Sequence, residues 1–163
     1  MSNIATGTST VVSMHVTRWS SEAERTALLT VLMEHGQDEF VKALRKEKEA
    51  GWFRSTARAS MRTAFPSVRV HYAHQYEEGG KRHITLVTNR PIGAREAMAN
   101  SRTMDYDVTA IQFEVPADKD SKEKGKGTFV IGMELGYDKE KKRLKIEGYS
   151  TEPVRLTEVH RTK

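Results

Sequence analysis

Histidine offers the first chemistry in this chain, because His71, His74 and His83 lie close together and imidazoles bind metals and move protons near neutral pH. Their use depends on how the chain pairs around them. Val68, Val70 and Tyr72 alternate with polar residues up to Glu77-Glu78-Gly79-Gly80, and Ile84 and Leu86 alternate back, the pattern of a β-hairpin. Keeping both apolar sets on one face sets Tyr72 opposite Leu86 and His74 opposite Ile84, which requires a three-residue loop with a glycine bulge. On that register His74 shares the apolar face while His71 and His83 point the other way, so the three do not converge on one ion. No H-E-x-x-H pattern is present either, and no metal is expected.

Arginine is the second candidate. From Arg54 to Tyr76 the chain carries Arg54, Arg58, Arg62 and Arg69 with no acid, which supplies +4 of a net charge of +5. A planar guanidinium suits phosphate or carboxylate, so the strip reads as an anion-binding surface, and on a polymer as a nucleic-acid contact. The competing reading pairs these arginines with acids that folding brings near, such as Glu47, Glu77, Asp105 or Asp107. Carboxylates form the third set, Asp105, Asp107 and Glu114, which could offer two carboxylates for acid–base work or a hard cation site. Asp105 and Asp107 lie two apart in an extended stretch, hence on one face, and with His71 or His83 would make an acid–base pair for a hydrolase or isomerase. A solvated or arginine-paired edge explains the same residues without chemistry.

Other chemistries are excluded more directly. The chain has no cysteine, which removes thiolate nucleophiles, disulfides and cysteine-held metals. Lys124-Gly125-Lys126-Gly127 precedes a strand where a phosphate loop would precede a helix, and no G-x-S-x-G elbow occurs. No cofactor is expected.

The elements that must position these groups begin after a Ser/Thr-rich start, residues 1–9, expected to fray. Val12, Met14 and Val16 predict a strand. Ser21-Glu22-Ala23-Glu24 forms a capping box for a helix with an apolar stripe of Ala23, Ala27, Leu28, Val31 and Leu32, stopped by Gly36. Asp38 is placed to cap a second helix with Phe40, Val41 and Leu44 inward, closed by Gly51, and Trp52 and Phe53 pin this helical hairpin to a sheet. Ala94–Asn100 reads as a short helix. Thr109, Ile111, Phe113 and Val115 mark a strand ended by Pro116. Phe129, Ile131, Met133, Leu135 and Tyr137 alternate without a break and predict a central strand; Leu144 and Ile146, then Val154 and Leu156, predict two more.

With 163 residues, this is one domain of the α+β class: about seven strands in an antiparallel meander packed on an N-terminal helical hairpin. No apolar run is long enough to span a bilayer, and the first ten residues lack the basic start and apolar middle of an export signal.

Thr88-Asn89-Arg90-Pro91-Ile92, Arg102-Thr103-x-Asp105-Tyr106 and Glu147-x-Tyr149-x-Thr151-x-Pro153-Val154-Arg155-Leu156 together resemble a family of small bacterial proteins of uncharacterised function. Arg18-Trp19-Ser20, Gly36-Gln37-Asp38 and Gly125-Lys126-Gly127 fit the same pattern. Members of that family generally begin with an export signal, so the resemblance implies a periplasmic or secreted protein. It brings no activity, cofactor or catalytic residue. Asn89 stands where the family usually has aspartate, and its role before Arg90-Pro91 is expected to be bonding of the turning backbone. The expected function is therefore a non-enzymatic binding domain for a small molecule or a protein, acting through its sheet face or the arginine strip.

Overall fold

In the computed structural model, which describes residues 2–3, 8–9, 11–55, 67–89, 108–131, 133–149 and 153–161, the elements run β1 (Ser2–Asn3), β2 (Thr8–Ser9), β3 (Val12–Val16), α1 (Glu22–His35), α2 (Gln37–Leu44), β4 (Gly51–Ser55), β5 (Val68–Val70), β6 (Tyr72–Glu78), β7 (Lys81–Thr88), β8 (Thr109–Pro116), β9 (Gly125–Ile131), β10 (Met133–Asp138), β11 (Arg143–Tyr149) and β12 (Val154–Val159). The class is α+β, with antiparallel sheets and a helical hairpin near the N-terminus, as expected. The strands divide among three sheets rather than one: β2-β1-β12-β9-β8-β7-β6, β3-β4-β5 and β10-β11. The meander is broken because β12 returns beside β9 instead of staying next to β11.

The large sheet is the middle layer. On one side α1, α2 and the β10–β11 hairpin bury Leu28, Leu32, Phe40, Leu44, Met133 and Leu144 against Tyr72, Val87, Ala110 and Val130. On the other side the small sheet buries Phe53, Val68 and Val70 against Ala73, Leu86, Ile111, Phe129 and Leu156. Phe53 meets Phe129 edge-on at 5.8 Å between ring centres. Trp52 and Phe53 thus belong to a strand of their own.

The helices form for the expected local reason, with one exception. Ser21 Oγ accepts from the Glu24 N–H at 3.2 Å and Glu24 Oε2 accepts from the Ser21 N–H at 2.7 Å, closing the capping box. The buried stripe of α1 is Leu28, Leu29 and Leu32, while Ala23 and Ala27 are exposed. Gly36 at φ 83° ends α1 and also precedes α2, which has no side-chain cap. Asp38 therefore lies inside the first turn, where its charge faces the helix dipole instead of capping it. The Gln37 side chain does something else: it donates to the Met133 carbonyl and accepts from the Leu135 N–H, both at 2.8 Å, along the outer edge of β10. Ser20 plays a similar part on β6, donating its N–H to the Ala73 carbonyl at 2.9 Å and accepting the Ala73 N–H on Oγ at 3.1 Å. Gly51 does not close a helix; it opens β4, where a Cβ would collide with the His15 carbonyl across the β3–β4 pair.

Two register expectations are corrected. The β6–β7 pairs run Tyr72 with Val87, Ala73 with Leu86, His74 with Thr85, Gln75 with Ile84 and Glu78 with Lys81, leaving a two-residue loop. Gly79 and Gly80 both take positive φ, 61° and 72°, the primed turn whose twist matches antiparallel strands, so no three-residue bulged loop is needed. The run from Phe129 to Tyr137 is not one strand: β9 lies in the large sheet and β10 in the hairpin. Phe129 faces the small sheet, whereas Met133 and Leu135 face the helices, so the unbroken alternation serves opposite layers. Of the start expected to fray, Ser2 pairs with Arg155 and Ser9, and Asn3 with Thr8. The short helix expected over 94–100 lies outside the described residues.

Candidate functional site

Strand register builds the site. On the helix-side face of the large sheet, cross-strand pairing sets Tyr72, Val87, Ala110 and Val130 in one row. The helices cover that row. One step along each strand the row becomes His74, Thr85, Gln112, Thr128 and Arg155, and the next is Tyr76, His83, Glu114 and Lys126. The same face thus changes from apolar to polar at one level across the sheet. Beyond that level the sheet is half-open.

Two other elements lean over this edge. In the turn after β10, Asp138 Oδ1 accepts from the Glu140 and Lys141 N–H groups at 3.1 Å, and the chain turns back into Arg143. The Arg143 guanidinium lies 4.2 Å from the centre of the Tyr76 ring, a cation–π contact. From α1, Arg25 Nη1 comes 2.8 Å from His74 Nε2. Between sheet and hairpin lies a cleft of about 320 Å³ whose lining includes Tyr72, His74, Thr85, Gln112, Asp138 and Arg143.

The electrostatics of the cleft follow from its donors. A guanidinium only donates, so Nε2 of His74 accepts and the neutral ring carries its proton on Nδ1. Burial, with Arg25 and then Arg143 adding to it, holds the His74 pKa down at about 4. Tyr72 is fully buried, and burial pushes its phenol up to about 12 against the pull of Arg25. Among the described residues its hydroxyl has no hydrogen-bond partner. Neither Arg25 nor Arg143 meets a carboxylate among the described residues, whereas Arg18 bonds Glu24 at 2.8 Å and Arg82 bonds Glu77 at 2.7 Å. The cleft lining therefore gathers the Arg143 guanidinium, the Lys145 amine, a hydroxyl, an amide and the His74 ring, with the Asp138 carboxylate opposite Arg143 and already accepting two backbone N–H groups; Arg25 stands behind His74, outside this lining. That set suits an oxyanion.

The residues singled out in the sequence are distributed differently. Arg54 lies on the outer face of the small sheet, its guanidinium 5.0 Å from the Trp52 ring centre, and Trp52 stacks on His15 at 5.4 Å. Arg69, exposed beside them, pairs with Glu49 at 3.4 Å, an acid not among those the sequence offered it. Arg58 and Arg62 lie outside the described residues, as do Arg90, Pro91, Arg102, Asp105, Tyr106 and Asp107. Asn89 follows β7 and is half-buried. His71 bonds the Glu47 carbonyl through Nδ1 at 3.0 Å at the start of β6, and His83 stacks on Tyr76 near the other end of β7, so the two are not brought together. The observed register instead puts His74 and His83 on one face, correcting the expectation that they point apart. Among the described residues no cluster of acids and histidines could hold a metal ion, and no helix is long and apolar enough to cross a membrane.

Tyr72, Arg25 and Arg143 were not singled out as candidates from the sequence. The available signal was the Tyr72-His74-Tyr76 alternation, whose partners the wrong register concealed. Comparison with family models, curated proteins and solved structures finds no match for this chain.

Proposed function

We propose that the protein binds a small organic anion, without turning it over, in the cleft between the large sheet and the β10–β11 hairpin. The observation that carries this reading is the buried Tyr72 hydroxyl, which has no hydrogen-bond partner among the described residues, with Arg143 in the cleft lining and Arg25 behind His74, neither of which bonds a carboxylate among the described residues. Burying a donor unpaired costs stability, and an anion whose entry opens the way to this closed-off hydroxyl would recover that cost by accepting from it. The neutral His74 contributes a further donor through Nδ1.

Titration of the protein with galacturonate, followed by amide chemical shifts and calorimetry, tests the reading. Shifts should concentrate at residues 72–76, 85, 112 and 143. Arg143→Gln should weaken binding about 10- to 100-fold, since a hydrogen bond to a charged group contributes about 1.5–3 kcal/mol. An affinity that Arg143→Gln leaves untouched overturns the reading, as does the absence of binding by galacturonate, acetate and inorganic phosphate alike. The family resemblance further supports an exported location. Recovery of the native protein in the cytosolic fraction of its source would refute that.

A further inference from the structure

We infer that the cleft is one end of a longer track and that the ligand is an acidic oligosaccharide lying across the strands, an inference that rests on the anion-binding reading above. The polar row does not stop at the cleft. It continues from His74 through Thr85, Gln112 and Thr128 to Arg155 on β12, crossing β6, β7, β8, β9 and β12. Four steps of strand spacing make this about 19 Å. A second hollow of about 620 Å³ shares Tyr76, Thr85 and Gln112 with the cleft and extends it to Arg155.

Charge marks both ends. Arg143 and Lys145, with Asp138 between strand and turn, hold one, backed by Arg25 behind His74, and exposed Arg155, which meets no carboxylate among the described residues, holds the other. Glu114, the acid in the lining of the second hollow, is already engaged by Lys81 at 2.9 Å and Lys126 at 3.7 Å, which leaves that group with a net positive charge.

The floor between the ends selects the ligand class. Thr85, Gln112 and Thr128 are half-buried and neutral, and their side chains make no hydrogen bond among the described residues. Each can donate and accept, which matches sugar hydroxyls and not a hydrocarbon chain. A pyranose repeat is close to the spacing between strands, so successive rings can step from strand to strand. Single-stranded nucleic acid would need open ring faces on which bases stack. Of the aromatics that line the two hollows, Tyr72 is fully buried and Phe113 packs into the core on the other side of the sheet. Tyr76 has His83 stacked at 4.8 Å and the Arg143 guanidinium at 4.2 Å, which fit only on opposite faces of its ring, so neither face is open.

Calorimetry with galacturonate, tetragalacturonate, uncharged maltotetraose and tetrathymidylate, on the wild type, Arg143→Gln and Arg155→Gln, tests the track. The tetragalacturonate should bind at least tenfold tighter than the monomer and than maltotetraose, and Arg155→Gln should erase that gain. Far-UV circular dichroism of the variants verifies folding, which an exposed side chain such as Arg155 should not disturb. Monomer binding that depends on Arg143 but shows no gain with chain length, or a gain that Arg155→Gln leaves intact, overturns the track and spares the anion reading. Binding of neither anionic sugar overturns this inference, and the anion reading falls with it only if acetate and phosphate also fail. Tetrathymidylate bound as tightly as tetragalacturonate overturns the oligosaccharide in favour of nucleic acid.

Discussion

Replacing Tyr72 with phenylalanine should stabilise the unliganded protein. The ring is fully buried in the layer shared by the helices and the large sheet, and its hydroxyl has no partner among the described residues. An unsatisfied buried donor costs about 1–3 kcal/mol relative to the same shape without it, while the ring's apolar contacts survive the substitution. Removing the oxygen leaves a void smaller than a methyl group, which offsets a fraction of the gain, so a net of about 1–2 kcal/mol is expected. For a chain of this length that corresponds to a rise in Tm of roughly 2–8 °C. The assay is urea unfolding at pH 7.5 in a buffer free of carboxylate and phosphate, with an unchanged m-value as the sign that only stability moved. The phenol is held protonated to about 12, so the difference should be flat over neutral pH. With saturating galacturonate the order should narrow or invert, because the variant gains less from the ligand. A Tyr72→Phe protein that is equally or less stable without ligand would show that the hydroxyl is satisfied, and the argument for the cleft would fall with it.

His74 should titrate near 4 by NMR and move toward 6.5 in Arg143→Gln, because burial and the two arginines disfavour its charged form. As pH falls, the unfolded chain takes up this proton first, so the contribution of His74 is present above pH 6.5 and lost between about 6.5 and about 4; its half-buried position keeps the loss to roughly 1–3 kcal/mol. An ordinary titration near 6.5 would contradict the Arg25 contact. Ser21→Ala should cost about 1 kcal/mol in denaturant midpoint through loss of the capping box on α1. Gly79→Ala should destabilise by about 1–2 kcal/mol, since φ 61° is left-handed, and Gly79→Asn should cost less; equal behaviour of the two would argue against the primed turn. Phe53→Ala should cost about 3–5 kcal/mol, measured the same way, by opening the layer against Phe129.

The helices were legible because their signals are local: the Ser21–Glu24 box and the buried Phe40, Val41 and Leu44 need no distant partner. Strand positions were legible too, but pairing was not. Both faces of the large sheet are covered, so adjacent residues such as Tyr72 and Ala73, or Leu86 and Val87, are all buried, and alternation alone does not say which belongs to which layer. Assigning Tyr72 to the layer of Leu86 shifted the hairpin by one residue, and such a slip turns every side chain over. The cleft was lost with the register. Arg25 arrives from a helix and Arg143 from a hairpin in another sheet, a meeting set by tertiary packing that no spacing in the chain announces. Ser20 and Gln37, singled out in the sequence beside Trp19 and Gly36, do structural work by bonding strand edges.

Gln37 has a consequence for how the protein behaves in a crowded solution. A strand with an unpaired outer edge invites a second chain to extend it, the first step of many aggregates. One carboxamide, reaching β10 from the first turn of α2, occupies the carbonyl of Met133 and the N–H of Leu135 as a neighbouring strand would, and so blunts that edge without adding a strand. Ser20 does the same at Ala73 on the outer strand of the large sheet. The chain thus closes outer strand edges in two of its layers against self-association, with the Gln37 side chain on β10 and with the Ser20 hydroxyl and main-chain N–H on β6.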